Sequence, residues 1–102
     1  MATTPRINNG IDRSLSMLMA ELAFLPEMAA LWANESEHNR LNYSLEWDDL
    51  MGRLVGLKEA YQAGELSSVQ HERFEQVLDK LAHVIPLLRQ MNLYFPPIAL
   101  LA

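Results

Sequence analysis

The sequence predicts an all-α fold: a three- to four-helix bundle built on a long antiparallel helical hairpin. Three observations carry this expectation. Apolar residues recur three and four apart along two stretches, Trp47 to Tyr61 and Phe74 to Met91, the period of one buried helix face. Little more than Gly64-Glu65-Leu66-Ser67 separates the stripes, so the two helices are expected to fold back on each other. Half of the 102 residues are hydrophobic, with six Met and only four Gly, and strand-like runs rich in Val, Ile and Thr are missing.

Residues 1–11 mix Thr, Pro, Asn and Gly without apolar period and read as a flexible leader. A first helix is expected from Asp12 or Ser14, either of which can accept a hydrogen bond from the free amides of a first turn. Leu15, Leu18, Met19, Leu22 and Leu25 then follow at helical spacing, while Met17, Ala20, Ala23 and Phe24 fill the other faces. A helix oily on all sides is normally covered on more than one of them, by its own domain or by another subunit. Pro26 removes a backbone donor and disfavours helical geometry at Leu25, which predicts a kink or a restart there. Beyond it Glu27 suits the positive end of a helix dipole, and Met28, Leu31 and Trp32 line one side. The run Asn34 to Arg40 has no apolar member and reads as a solvated helix end or a loop.

Ser44 is the expected cap of the second long helix, whose stripe is Trp47, Leu50, Met51, Leu54, Leu57 and Tyr61. Asp49 can pair with Arg53 one turn on, and Lys58, the one charge within the stripe, can lay its stem on the core. Gly64 is placed to end this helix in a left-handed conformation. Ser67 and Gln70 form a capping-box pattern that opens a third helix, carrying Phe74, Val77, Leu78, Leu81, Val84, Ile85, Leu88 and Met91 and bent at Pro86. The last segment contains Pro96-Pro97 and is otherwise apolar, so it either folds back over the bundle or sits on a partner. The expected organisation is a leader over 1–11, one helical domain over 12–92 and an apolar tail over 93–102.

Thirteen acidic against eight basic side chains give a net charge of -5, which disfavours nucleic acid as a partner because phosphate contacts need a surplus of Lys and Arg. The absence of cysteine excludes disulfides, a thiolate nucleophile and a sulfur-ligated zinc site, and it fits a reducing cytoplasm. The N-terminus lacks the layout of a secretory signal. Leu15 to Ala33 is nearly as long as a membrane span, but it holds Glu21, Glu27 and Pro26. An acidic residue at a bilayer centre costs about 2.5–3.5 kcal/mol, so a membrane partner is not expected either.

Several patterns invite a site. Gly52, Gly56 and Ala60 are spaced by four on the side of the second helix away from Trp47, and two interior glycines cost about 1 kcal/mol each. Close approach of another helix, from residues 15–25 of this chain or of a second copy, would offset that cost. His71, Glu75, Asp79 and His83 recur every four residues on the third helix, yet such a row winds around it and cannot converge four ligands on one metal. A phosphoryl-accepting role for His83 meets the repulsion of Asp79, and a helix-turn-helix reading of Ala60 to Arg73 puts Glu65, Glu72 and Glu75 against phosphates. No glycine-rich phosphate loop, H-E-x-x-H or nucleophile elbow occurs, so no catalytic, cofactor or metal residues are assigned.

The expected function is a non-enzymatic helical interaction or adaptor module that forms a homodimer. The apolar surface of residues 15–32 and of the tail looks excessive for so short a chain to hide alone. The expected contact residues are Leu15, Leu18, Met19, Leu22, Phe24, Gly52, Gly56, Ala60, Tyr94 and Phe95. The alternative is an antitoxin- or inhibitor-like chain whose acidic helices cover a basic partner; a DNA-binding regulator or a metal- or phosphoryl-binding domain ranks below it.

Overall fold

The structure, a computed structural model, describes residues 3–97, with side chains from Gly10 onward; Met1, Ala2 and the expected tail residues Ile98 to Ala102 lie outside them. Three helices pack together: α1 (Thr3–Leu31), α2 (Glu37–Gln62) and α3 (Ser68–Met91), with a 3-10 turn over Trp32–Asn34 between the first two.

The first helix starts earlier than the leader expected over 1–11 allows. Pro5 falls in its first turn, where a missing amide hydrogen costs no intrahelical bond, and extending an existing helix through Asn8, Asn9 and Gly10 costs far less than nucleating one. Asp12 and Ser14 are therefore interior residues, not caps. Pro26 does not restart the chain: α1 runs on through it to Leu31. Leu22 and Leu25 before it are buried, and Met28 and Ala29 after it pack on the same core, which offsets the lost backbone bond.

The chain turns at Glu35 and Ser36, both in extended backbone. Ser36, not Ser44, caps α2, its hydroxyl accepting from the Asn39 amide at 3.1 Å. The Asn39 side chain reaches back to Glu35 Oε1, and Arg40 Nε donates to the Glu35 carbonyl. The polar run 37–40 is thus the solvated first turn of a helix. Ser44 lies inside it and donates to the Arg40 carbonyl one turn back.

The far end of α2 closes as the sequence indicates. Gly64 is left-handed at φ 73°, and the Gly64 and Glu65 amides return to the carbonyls of Tyr61 and Ala60. Ser67 and Gln70 form a reciprocal capping box at 2.9 and 3.1 Å. Gln70 is buried and has a second task, since its amide nitrogen donates to Asp12 Oδ1 at 3.1 Å. Arg73 joins that carboxylate and reaches Ser16 Oγ at 2.9 Å, so a polar clamp fixes the start of α3 to α1. At its other end α3 continues through Pro86 and stops at Asn92, a left-handed residue at φ 59°.

The frame of the molecule is α1, which packs closely along α3 and less extensively along α2, whereas α2 and α3 approach each other closely only locally. The pair spanning 45–91 is therefore not the scaffold on which a separate first helix rests. Between α2 and α3 stand Tyr61 and Phe74, large side chains whose rings meet at 5.3 Å and hold the helix axes apart. The four leucines of α1, Leu15, Leu18, Leu22 and Leu25, fill the space between the other two helices and are at most 1% exposed.

The described part of the tail folds back over the bundle. Leu93 and Pro96 are buried, and Trp47 Nε1 donates to the Tyr94 carbonyl at 2.6 Å. The Arg89 guanidinium lies 6.0 Å from the Phe95 ring centroid, at the outer limit of a cation–π contact.

Candidate functional site: an uncovered helix face and an acidic cleft

The expected contact residues separate into four groups. Leu15, Leu18 and Leu22 are consumed by the chain's own core, and Met19 packs against it, so these four offer little to a second copy. Sequence period cannot tell which side of an oily helix faces inward, and here the leucine side does. Gly52 and Gly56 are exposed, and among the described residues a Cβ added to either would meet nothing within 4 Å, so no described side chain closes over them. The start of α1 does flank this face at a distance: Gly10, Ile11 and Ser14 share a shallow depression of about 290 Å³ with Gly56 and Ala60. We expect Gly52→Ala and Gly56→Ala each to raise stability by about 0.5–1 kcal/mol in urea denaturation, the helix-propensity gain with no steric cost. A loss instead would mean that a partner backbone lies against them. Tyr94 is 56% exposed and Phe95 half-buried, with only the Tyr94 carbonyl held by the Trp47 indole.

Phe24 forms the fourth group. At about 100° per residue, Met17, Ala20, Ala23, Phe24, Ala30 and Leu31 lie on the side of α1 opposite the buried leucines. All six are exposed, Phe24 by 39% and Leu31 by 51%. Two charges share this side, Arg13 and Glu27, each seven residues from Ala20. Within Gly10–Asn34 the helix is long and apolar enough to cross a membrane, with mean hydropathy 1.4 in its most apolar window, and only 28% of that window is buried.

On the α2 side of α1 lies a cleft of about 520 Å³, which sequence reading did not anticipate. Its walls are Met17 and Glu21 from α1, with Tyr43, Leu45, Glu46, Trp47, Asp49 and Leu50 from α2. The one available signal was Leu41 and Leu45, one turn apart yet off the buried stripe of α2, both 57% exposed. Trp32 packs edge-on against Tyr43 at 5.8 Å and supports the inner wall. The Tyr43 hydroxyl donates to Glu21 Oε2 at 3.3 Å. Burial first, then the negative charge of Glu21, pushes the Tyr43 phenol well above its ordinary value of 10.0. The neutral phenol is therefore favoured by the fold. Its stabilising contribution is complete below pH about 10 and is lost as pH rises beyond that, because the unfolded chain releases the proton first. Urea denaturation between pH 9 and 11.5 should show a steeper fall for the wild type than for Tyr43→Phe; parallel curves would deny Tyr43 this role.

The histidine row does not converge. His71 packs on the Tyr61 ring at 4.7 Å and His83 Nδ1 faces the Asp79 carbonyl at 2.8 Å, about three turns apart along α3. Among the described residues, no group of three or more His, Asp or Glu side chains is gathered to hold a metal ion.

The chain matches no protein-family model, and comparison with curated proteins and with solved structures gives no match.

Proposed function

We propose that this chain is a non-enzymatic helical interaction module, a three-helix bundle that pairs with a second copy of itself through the outward face of α1. The observation that carries this reading is the exposed strip of Met17, Ala20, Phe24 and Leu31 on a helix whose leucines already fill the chain's own core. The strip is self-complementary about Ala20. Two α1 helices crossing antiparallel at that residue set Arg13 of one copy against Glu27 of the other, twice. The same register sets Met17 against Ala23 and Phe24 against Ser16, large against small each time. Ala20 on the axis lets the helices come close. Neither Arg13 nor Glu27 is in an ion pair with another described residue.

The stretch from Arg13 to Glu27 is about 21 Å long at 1.5 Å per residue. One helix pair of that length buries less than about 1,200 Å² in total, the transient end of the range for specific interfaces. Self-association in the micromolar range follows. Light scattering from 1 to 200 µM should show the mass climbing from 11.6 kDa toward twice that value. A mass held at 11.6 kDa throughout would remove the proposal.

A further inference from the structure

We infer that the cleft between α1 and α2 is a docking site for a basic amphipathic helix of a different protein, one that inserts an apolar side chain and places Lys or Arg against the rim. The floor supplies Trp47, Tyr43 and Met17, the residue types most enriched at protein interfaces, and the groove between two helices has the form that accepts a third. The rim supplies Glu21, Glu46 and Asp49, and among the described residues no Lys, Arg or His lines the cleft. Asp49 is in part answered by Arg53 at 3.7 Å, and Glu21 accepts a hydrogen bond from a neutral phenol, which leaves its charge in place. An anionic occupant is disfavoured by these carboxylates and by the net charge of -5, whereas a cationic one is drawn in by both.

A second copy of this chain does not fit the requirement. Its eight Lys and Arg stand singly at positions 6, 13, 40, 53, 58, 73, 80 and 89, and no basic cluster forms beside an apolar anchor. The site is also separate from the outward face of α1, with which it shares only Met17.

The test is a titration of a fluorescent 15-residue Leu/Lys amphipathic peptide with the full chain at 50 and 300 mM salt, read as anisotropy, beside a Leu/Glu peptide of identical apolar pattern. Saturable one-to-one binding of the Lys peptide is expected, weakened at least fivefold by the added salt, with no binding of the Glu peptide. Glu21→Gln with Glu46→Gln should weaken it at least tenfold, whereas Glu72→Gln with Glu75→Gln, which removes the same charge from exposed positions on α3, should change it less than twofold. Leu45→Ser, at an exposed wall position that the fold does not need, should weaken binding at least threefold. Ala23→Arg, exposed on the outward strip and at least about 120° around α1 from Met17 and Glu21, should leave the affinity unchanged, which separates this site from self-association. Equal losses in both glutamine pairs, binding of the Glu peptide, no saturable binding, or loss of binding in Ala23→Arg would each overturn the inference.

Discussion

Trp47→Ala is expected to cost about 3–5 kcal/mol of folding stability, the range for removing a buried large aromatic side chain. The Trp47 indole is 2% exposed and touches two parts of the structure at once. Its ring fills the core on the α2 side, and its Nε1–H holds the Tyr94 carbonyl at 2.6 Å, which seats the tail segment carrying Leu93 and Pro96. Alanine removes the ring and releases the tail together, so the two losses combine. A domain of this size has about 5–15 kcal/mol in all, and each kcal/mol moves the melting temperature by about 4–8 °C. The melting temperature should therefore fall by at least about 12 °C. Trp47→Phe keeps an aromatic ring and deletes the donor, and should cost about 1–2 kcal/mol. Thermal and urea unfolding of the two variants checks both figures; equal, small losses would show that neither the ring nor the tail contact contributes as argued.

Glu27→Arg is expected to weaken self-association at least tenfold, about 1.4 kcal/mol. In the antiparallel register each Glu27 meets Arg13 of the other copy, so one reversal creates two like-charge contacts. Exposed ion pairs are individually weak, but facing like charges cost more than lost attraction alone. The diagnostic variant is the exchange of both charges. Arg13→Glu combined with Glu27→Arg rebuilds the two pairs with opposite sense and should restore the wild-type dissociation constant, as measured by sedimentation equilibrium. A double variant as weak as the single one would mean that the two positions do not face each other.

How much of this was legible in the sequence depended on the range of the interactions involved. The Gly64 turn and the Ser67–Gln70 capping box are set by neighbours a few residues away, and both read correctly. The buried stripes of α2 and α3 also read correctly, because their apolar residues keep one helical period along the whole stretch. Helix starts were misplaced where a residue with capping chemistry had other work. Asp12 binds Gln70 and Arg73 from another helix, and Ser44 bonds back to Arg40 within α2, neither of which leaves a mark in local sequence. The sequence predicts a kink or a restart at Pro26 and a bend at Pro86; both helices run on through the proline, so of these only the restart is excluded.

The candidate site was legible only in outline. Excess apolar character in α1 was plain, but an all-round oily helix gives no hydrophobic direction, so Leu15, Leu18 and Leu22 were assigned to a partner that the core had already claimed. The seven-residue spacing of Arg13, Ala20 and Glu27 acquires meaning only once all three are known to point outward. The cleft was invisible for a similar reason. Glu21 and Tyr43 are 22 positions apart in the chain, and only the turn at Glu35–Ser36 brings them within hydrogen-bond distance.

The most direct measurement of the central claim uses the absence of cysteine from the chain, which makes an introduced thiol unique. If two α1 helices cross at Ala20, its Cα atoms face each other across the two-fold axis at a spacing compatible with a disulfide, about 4.4–6.8 Å. Mild oxidation of Ala20→Cys should then give a covalent dimer within minutes, while Glu59→Cys, on an exposed part of α2 away from the strip, should stay monomeric under the same conditions. Equal cross-linking of the two variants, or a monomeric Ala20→Cys, would contradict the account.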